Sequence, residues 1–544
     1  MPGVLQLALF QARRDRVTLP VWILGITLLI FATSSAVVTQ FGDQPSQAAI
    51  LTLAASNPAF LFLRGLPDGT GVGAVVFFQG YAFTAVLAGL MSTFLVVRHT
   101  RTDEELGRAE LLGSVPIPRS ASLAATLLLG VVANLLLAVS VAAGFIASGL
   151  PVPDAAVPGA AGAGAAVGAV GVFFVGLAAA VAQLLPSGRS ANGAAAGLVG
   201  AAYLLRAAGD ALGTPTADLL HVASAWPSLF SPIGWGQRSR PFTSPDLSAL
   251  LVLLAAALVL GAAALLIRRR RDLGASLLIQ RDGRERAGVG GTSFVGLAWR
   301  LQRSTLAGWC IGAATLGAVA GALGPLVSET VSSVAPLKEL ISRLVPGGQA
   351  GLIDVFVTAL LGVAGVFAAA AGIQAVLRMR AEEAEGRAEI LLAAPKFRAR
   401  WLGANLVIAA ASAVMVSATA GAAAAIGLGI SGAANGPAGL LVPAALAHVP
   451  AAVVFLAAAS VVFAAAPRLS IPLAWGMLAA GLILGEFGEL LGLPVWLQDF
   501  SPFRHSSAMP VESFDSGGAL ALAIIAAALA GLATYLIGRR DLTT

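Results

Sequence analysis

Two stretches of mixed charge, RTDEELGRAELLGSVPIPR at 101–119 and RAEEAEGRAEILLAAPKFR at 380–398, recur in a 544-residue chain with only 11% charged residues. They align without a gap and share nine of nineteen positions: Arg101/Arg380, Glu104/Glu383, Gly107/Gly386, Arg108/Arg387, Ala109/Ala388, Glu110/Glu389, Leu112/Leu391, Pro116/Pro395 and Arg119/Arg398. Carboxylates are interspersed with guanidiniums in each copy: Glu104, Glu105 and Glu110 with Arg101 and Arg108, then Glu382, Glu383, Glu385 and Glu389 with Arg380 and Arg387. The apolar pairs Leu111-Leu112 and Ile390-Leu391 follow. The pattern predicts one short mixed-charge helical segment ending before Pro116 or Pro395, with charges to fix register and leucines to fill a pocket, which suits a docking element. A single loop of this kind reads better as a solvated segment lying on lipid headgroups. Its duplication at equivalent places favours docking.

Other residues with useful chemistry are scattered. Arg206 and Asp210 lie one turn apart on a common helical face, and Asp210 registers with Glu489 at the same 279-residue offset, with Glu486 one turn deeper. Ionisable groups within a bilayer are costly and often functional. These four are therefore candidates for an outer gate or substrate contact, although a place near the outer end of a span lets a charged head reach water. Phe77, Phe78, Tyr81, Tyr203, Phe356 and Phe367 are candidates to line a cavity for an amphipathic compound, against the commoner role of aromatics as packing or interface anchors. His448, between Pro443 and Pro450, fits a proton relay or, more simply, helix packing. No zinc-type spacing, nucleophile elbow or paired catalytic acids occur, so neither a catalytic residue nor a metal site is expected.

These residues must be held by elements suited to lipid. The chain is 58% hydrophobic with mean hydropathy +0.87, too apolar for a soluble domain of this length. Only helices or closed barrels satisfy their backbone polar groups in hydrocarbon, and about 20 apolar residues cross it as a helix. Twelve runs meet that need: 19–40, 71–97, 121–149, 159–185, 191–212 and 246–267, then 303–324, 352–377, 401–430, 438–466, 470–492 and 517–538. The expected fold class is an all-α polytopic membrane protein. The start, VLQLALFQARRDR, reads as an interfacial helix leading into a retained span, with no signal-peptide cleavage site after it. Trp299, Arg300, Leu301 and Arg303 suggest the same arrangement before the seventh span. The single Cys310 excludes an intrachain disulfide.

Of 33 Lys plus Arg, 26 fall on one side of these spans. Only Arg64, Arg238, Arg240, Lys338, Arg343 and Arg504 fall on the other, and Arg206 lies within span five. The asymmetry assigns both termini and both charged loops to the cytoplasm, and it accounts for the basic balance without a nucleic-acid partner. Segment 268–302 has the composition of a cytoplasmic linker ending in a second interfacial helix. It separates a first half, 1–267 with its loop at 98–120, from a second, 303–544 with its loop at 378–400. Two halves of like orientation imply a pseudo-twofold axis along the membrane normal. WPSLFSP at 226–232 and WLQDFSP at 496–502 precede the last span of each half and read as short re-entrant or interfacial elements.

The order of paired acids, Gly, Arg, Glu, Leu-Leu, then Pro and Arg after the second span resembles the coupling-helix loop of ABC-2 type export permeases. The fused twelve-span chain with GRAE in both halves is similar to actinobacterial permeases described as polyketide-antibiotic exporters and multidrug efflux pumps, and the likeness covers nearly the whole chain. It implies a type V exporter-like fold in a bacterial plasma membrane and export of amphipathic drugs or antibiotics. It also implies two copies of a separate ATPase subunit, carrying ATP and Mg, whose grooves receive the loops. On that likeness the coupling residues are Arg101, Glu104, Glu105, Gly107, Arg108, Glu110, Leu111, Leu112, Pro116 and Arg119, with Arg380, Glu382, Glu383, Gly386, Arg387, Glu389, Ile390, Leu391, Pro395 and Arg398. The chain has no GxxxxGK[ST] loop, since neither Lys338 (APLKEL) nor Lys396 (AAPKFR) sits among phosphate-wrapping glycines, so no cofactor or ATPase activity of its own is expected. A proton-coupled secondary drug transporter is the competing reading. Its inner-loop motifs are shorter, glycine-led and dominated by cations, and it wants titratable groups near the midplane, where this chain has few. A membrane-embedded enzyme needs clustered carboxylates, whereas the outer loops offer scattered Asp218, Asp246, Asp499, Glu512 and Asp515.

Overall fold

The computed structural model describes residues 2–40, 43–56, 58–113, 118–149, 156–216, 220–272, 274–278, 293–333, 348–392, 395–430, 438–486 and 494–540. The chain divides into two units, Met1–Asp282 and Gly283–Thr544. Among the described residues, eleven helices are long and apolar enough to cross a membrane. The protein is an all-α polytopic membrane protein.

Unit 1 begins with α1 (Pro2–Arg14), α2 (Thr18–Gln40), α3 (Gln44–Ser56), α4 (Pro58–Arg64) and α5 (Val72–His99). The first charged loop holds α6 (Arg101–Glu105) and α7 (Arg108–Gly113), and α8 (Ala121–Ala147), α9 (Ala156–Leu184) and α10 (Gly188–Ala211) follow. A two-residue antiparallel pair, β1 (Thr214–Pro215) with β2 (Val222–Ala223), leads to a 3-10 turn at Trp226–Phe230, α11 (Pro232–Gln237) and α12 (Leu247–Arg270). α5 and α9 are the most enclosed spans and carry the core, including Phe78, Tyr81, Phe174 and Val170. α2, α8 and α12 instead turn Leu24, Leu28, Leu135, Val139, Leu258 and Val259 outward. Outward leucine and valine suit lipid as the surrounding solvent.

Unit 2 holds α13 (Phe294–Ser333), α14 (Gly348–Ala384), α15 (Arg387–Leu392), α16 (Pro395–Ile430), α17 (Leu441–Leu446), α18 (Val449–Ala465), α19 (Ser470–Glu486), α20 (Val495–Gln498) and α21 (Ser516–Arg539). α14 and α18 are its most enclosed spans, matching α5 and α9 in position along the repeat. Small residues let α13 and α16 meet backbone to backbone: a Cβ on Gly317 would lie 2.0 Å from the Ala420 carbonyl oxygen, and one on Gly321 1.9 Å from that of Ala424. The last span of each unit starts on an aspartate cap, with Asp246 accepting from Ser248 N at 2.8 Å and Asp515 from Gly517 N at 2.9 Å. Each ends in arginines, which suit the negative end of the helix.

The structure departs from the sequence expectation in four places. The expected span 191–212 is α10, 24 residues long, but it is not among the eleven apolar helices, because Arg189, Arg206 and Asp210 and several glycines dilute its hydropathy. The expected interfacial helix before the seventh span is no separate element, since α13 runs unbroken from Phe294. The chain breaks after Arg14 in unit 1, where Asp15 is buried against His99 and Arg98 at 2.5 and 2.6 Å. No acid stands at the matching place in RLQRSTLAG. The expected run 438–466 is divided at His448, before Pro450, into α17 and α18. Finally, α3 and α4 occupy the segment between α2 and α5, in which no helix was expected.

Candidate functional site

The charged loops are not single helices. Each is broken at its shared glycine, where the backbone turns left-handed: φ is +69° at Gly107 and +71° at Gly386. Nothing lies within 4 Å of a Cβ built on either glycine, so backbone conformation, and not crowding, is what requires glycine there. On the near side of the break the chain continues the preceding span, as α6 after α5 and as the end of α14. On the far side lies the short helix α7 or α15.

The arginine after each glycine reaches back across the break. Arg108 Nη1 donates to Asp103 Oδ1 at 3.2 Å, and Arg387 Nε donates to Glu382 Oε2 at 2.7 Å. Asp103 also takes both terminal nitrogens of Arg14, at 2.7 and 3.1 Å, and Glu382 takes Arg378 Nη2 at 2.6 Å. The hydrogen bond to Asp103 holds the Arg14 guanidinium above its usual pKa, and the bond to Glu382 does the same for Arg387.

Glu104 and Glu383, expected among the coupling residues, face inward. Glu104 accepts Arg271 Nη2 on both oxygens, at 2.6 and 2.7 Å, and Glu383 accepts Arg540 Nη2. Arg271 and Arg540 each cap the last span of their unit. The two loops are thus tied to equivalent helix ends. Burial lowers the Arg271 pKa and Glu104 pulls it back up. Arg101 is buried with them, donating to the carbonyls of Pro186 (2.9 and 2.5 Å), Gly274 (3.1 Å) and Ala275 (2.8 Å) and to Glu104 (2.8 Å). Arg398 donates to the Arg540 carbonyl. The sequence signal for these ties is the tetrapeptide RRDL at 270–273 and again at 539–542.

What remains outside is the far side of the break. Glu105, Leu106, Glu110 and Leu111 are exposed in the first loop, Leu111 at 75%, and Glu389 is exposed in the second. Arg119 is exposed and 3.7 Å from Asp272. Pro116 lies outside the described residues, and Leu112, Ile390, Leu391 and Pro395 are placed within or beside the helices by backbone alone.

The candidate pathway residues fall differently. Arg206 and Asp210 do not reach water; both are fully buried and 3.4 Å apart. Their span is enclosed on its outer side by α4 and α11. Arg206 Nη1 and Nη2 donate to the carbonyls of Leu61 (3.4 Å) and Phe62 (3.1 Å), its guanidinium stacks 4.6 Å over Tyr203, and Gln237 Nε2 donates to Asp210 Oδ2 at 2.9 Å. Tyr81 donates to the Ile233 carbonyl at 2.7 Å, and Tyr203 to that of Leu63 at 3.0 Å. Phe78 and Tyr81 are core residues and line no cavity described here, whereas Phe77 and Gln237 line an outer cavity of about 440 Å³ with Asp68, His221, Arg238 and Arg240. Phe367 packs edge-on against Trp309 with centroids 5.8 Å apart. Phe356 and Glu486 lie on α14 and α19, and Glu489 is outside the described residues. His448 is buried at the α17–α18 break, with its Cβ against Gly365.

The two Trp/Pro elements match closely. Ser231 Oγ donates to Ala202 O at 2.6 Å and Ser501 Oγ to Gly481 O at 2.7 Å, and those carbonyls are themselves one repeat apart. Trp226 meets Phe230 edge-on at 6.2 Å and Trp496 meets Phe500 at 6.4 Å, all four largely exposed. Exposed aromatic pairs at the ends of spans suit the membrane–water interface.

Two comparisons with known proteins bear on this architecture. The family described as the multidrug efflux system permease Rv1217c, C-terminal domain, matches residues 292–536. The multidrug efflux system permease protein Rv1217c of Mycobacterium tuberculosis (strain ATCC 25618 / H37Rv) is 34% identical over 542 residues, covering 99% of this chain and 95% of the relative. Likeness along nearly the whole length makes this chain a member of the multidrug efflux system permease family.

Proposed function

We propose that the chain is the membrane subunit of an ATP-driven exporter, moving amphipathic drugs or antibiotics out of a bacterial cell while two copies of a separate ATPase bind its two charged loops. ATP and Mg belong to those partners, since the chain has no phosphate-binding loop. One observation carries the reading: each loop is tied by a buried acid to the arginine that ends the last span of its unit, through Glu104–Arg271 and Glu383–Arg540, while its far helix stays exposed. A push on α7 or α15 reaches that last span through the glycine turn, which Arg108–Asp103 and Arg387–Glu382 bridge. The cation distribution of the sequence supports a cytoplasmic side for both loops and both termini, where such ATPases work.

Glu110 and Glu389 are the residues to reverse, because both are exposed and neither supports the fold. Glu110→Arg with Glu389→Arg is expected to weaken co-purification of the ATPase encoded beside this chain and to abolish drug efflux, with the permease still inserted. Intact assembly and efflux in that double variant would remove the docking reading. The buried Arg206–Asp210 pair keeps a proton-coupled route in view. Efflux that survives a protonophore and stops on ATP depletion separates the two.

A further inference from the structure

At the arginine-rich end of unit 2, a cavity of about 250 Å³ opens between the start of α13, the end of α14 and the start of α16. Its walls are mostly apolar, from Leu297, Leu301, Met379 and Trp401, and one end carries Glu382 flanked by Arg378 and Arg387. Arg387 spends its nitrogens on Glu382 and Glu385, so the unengaged donors at this cluster belong to Arg378. Arg378 binds Glu382 through Nη2 only. Its Nε and Nη1 are buried and find no hydrogen-bond partner among the described residues, a condition that native proteins seldom leave unexplained.

Unit 1 closes the same place. Gln11 donates to Thr126 at 3.0 Å and Gln302 to Asn405 at 3.2 Å, and Thr126 and Asn405 are one repeat apart, so the two leading helices are in register. That register sets Thr305 and Leu306 where unit 1 has Arg14 and Asp15. In unit 1 Arg14 saturates Asp103 with two bonds, and Asp15 takes up His99. In unit 2, among the described residues, the cations on Glu382 are Arg378 and Arg387, neither of them from the leading helix. Arg378, at the place of His99, supplies one nitrogen to the acid and turns the rest of its donors toward the gap.

We propose that this cavity holds an anionic phospholipid from the leaflet beside the charged loops, with its phosphate against Arg378 and its first acyl carbons against Leu297, Leu301 and Trp401. Phosphate oxygens supply the acceptors that Arg378 lacks, in charge-assisted bonds favoured in a half-dry site, and basic pockets between spans on the cytoplasmic side are suited to such head groups. The apolar walls select a lipid over a free anion.

The test uses the full-length chain in detergent, titrated with phosphatidylglycerol or phosphatidylcholine and read by native mass spectrometry. One phosphatidylglycerol is expected to be retained in preference to phosphatidylcholine. Arg378→Gln and Leu297→Trp are each expected to weaken that binding roughly tenfold, about the worth of one charge-assisted bond or of a filled acyl slot. Leu297→Trp alters no charge, so it tests the site even where Arg378→Gln disturbs Glu382. Equal retention of the two lipids, or unchanged binding in both variants, overturns the proposal. Displacement of the lipid by glycerol phosphate or inorganic phosphate at the same concentration also overturns it and identifies a free-anion site instead.

Discussion

Arg271 and Arg540 do the same work in two places, each folding the end of a span back onto a carboxylate of the charged loop. Removing one partner of such an enclosed pair leaves a charge without compensation, whereas replacing both with neutral groups removes the problem as well as the bond. Glu104 keeps Arg101 and Arg268 when Arg271 is lost, whereas Glu383 pairs with Arg540 alone among the described residues, so Arg540→Ala is expected to destabilise the protein by about 3 kcal/mol. Glu383→Gln with Arg540→Met should be milder than Arg540→Ala alone. Thermal unfolding in detergent measures both, and a double variant as damaged as the single would show that Glu383 is not the partner that matters. The same logic applies to Arg206 and Asp210. Arg206→Met strands a buried carboxylate, so it should cost more stability than Arg206→Met with Asp210→Asn. The repeat made Glu104 and Glu383 visible in the sequence, but not their direction. Identity at a charged position says that a role is shared; it does not distinguish docking from an internal tie, because both need the same carboxylate. The missing partners sit in RRDL, some 160 residues further on, and only folding brings them back.

At the scale of elements, apolar run length places most spans within a few residues, from α5 to α21, because it is a local signal. Contacts overrule the local rule at α10, which tolerates Arg206 and Asp210 because carbonyls of α4 and the amide of Gln237 take them up. The break at Gly107 and Gly386 is legible as a shared glycine inside a helical pattern, although the charge pattern by itself predicts one helix. Its left-handed backbone gives a graded test. Gly107→Asn should be tolerated, because asparagine enters that region readily, whereas Gly107→Ala should cost about 1–2 kcal/mol and Gly107→Val more. Since no neighbour crowds the site, the loss should fall on the angle of α7 and hence on efflux, with little change in insertion. Efflux assays on equally expressed variants rank the three, and equal activity of Gly107→Asn and Gly107→Val would separate the glycine turn from transport.

The whole molecule is governed by lipid on its flanks and by charge at one end. Outward leucines on α2, α8 and α12 have no place in water, and the order of spans expected from the sequence assigns 26 of 33 Lys and Arg to one side. Moving an arginine through a bilayer is expensive, so the crowded end should stay where the chain is made. The chain has one cysteine, Cys310, which makes this testable with single reporters. In a Cys310→Ser background, Glu110→Cys should react with an impermeant maleimide only after cells are opened. Ser244→Cys, beside the outer cavity between α11 and α12, should react in intact cells. Both positions belong to unit 1 and are separated by α8, α9 and α10, so an odd number of crossings must lie between them. That makes α10 a true span despite its buried ion pair and its absence from the eleven most apolar helices. Labelling of both residues from the same side would demote α10 to a re-entrant helix and would reverse the orientation of everything after it in unit 1.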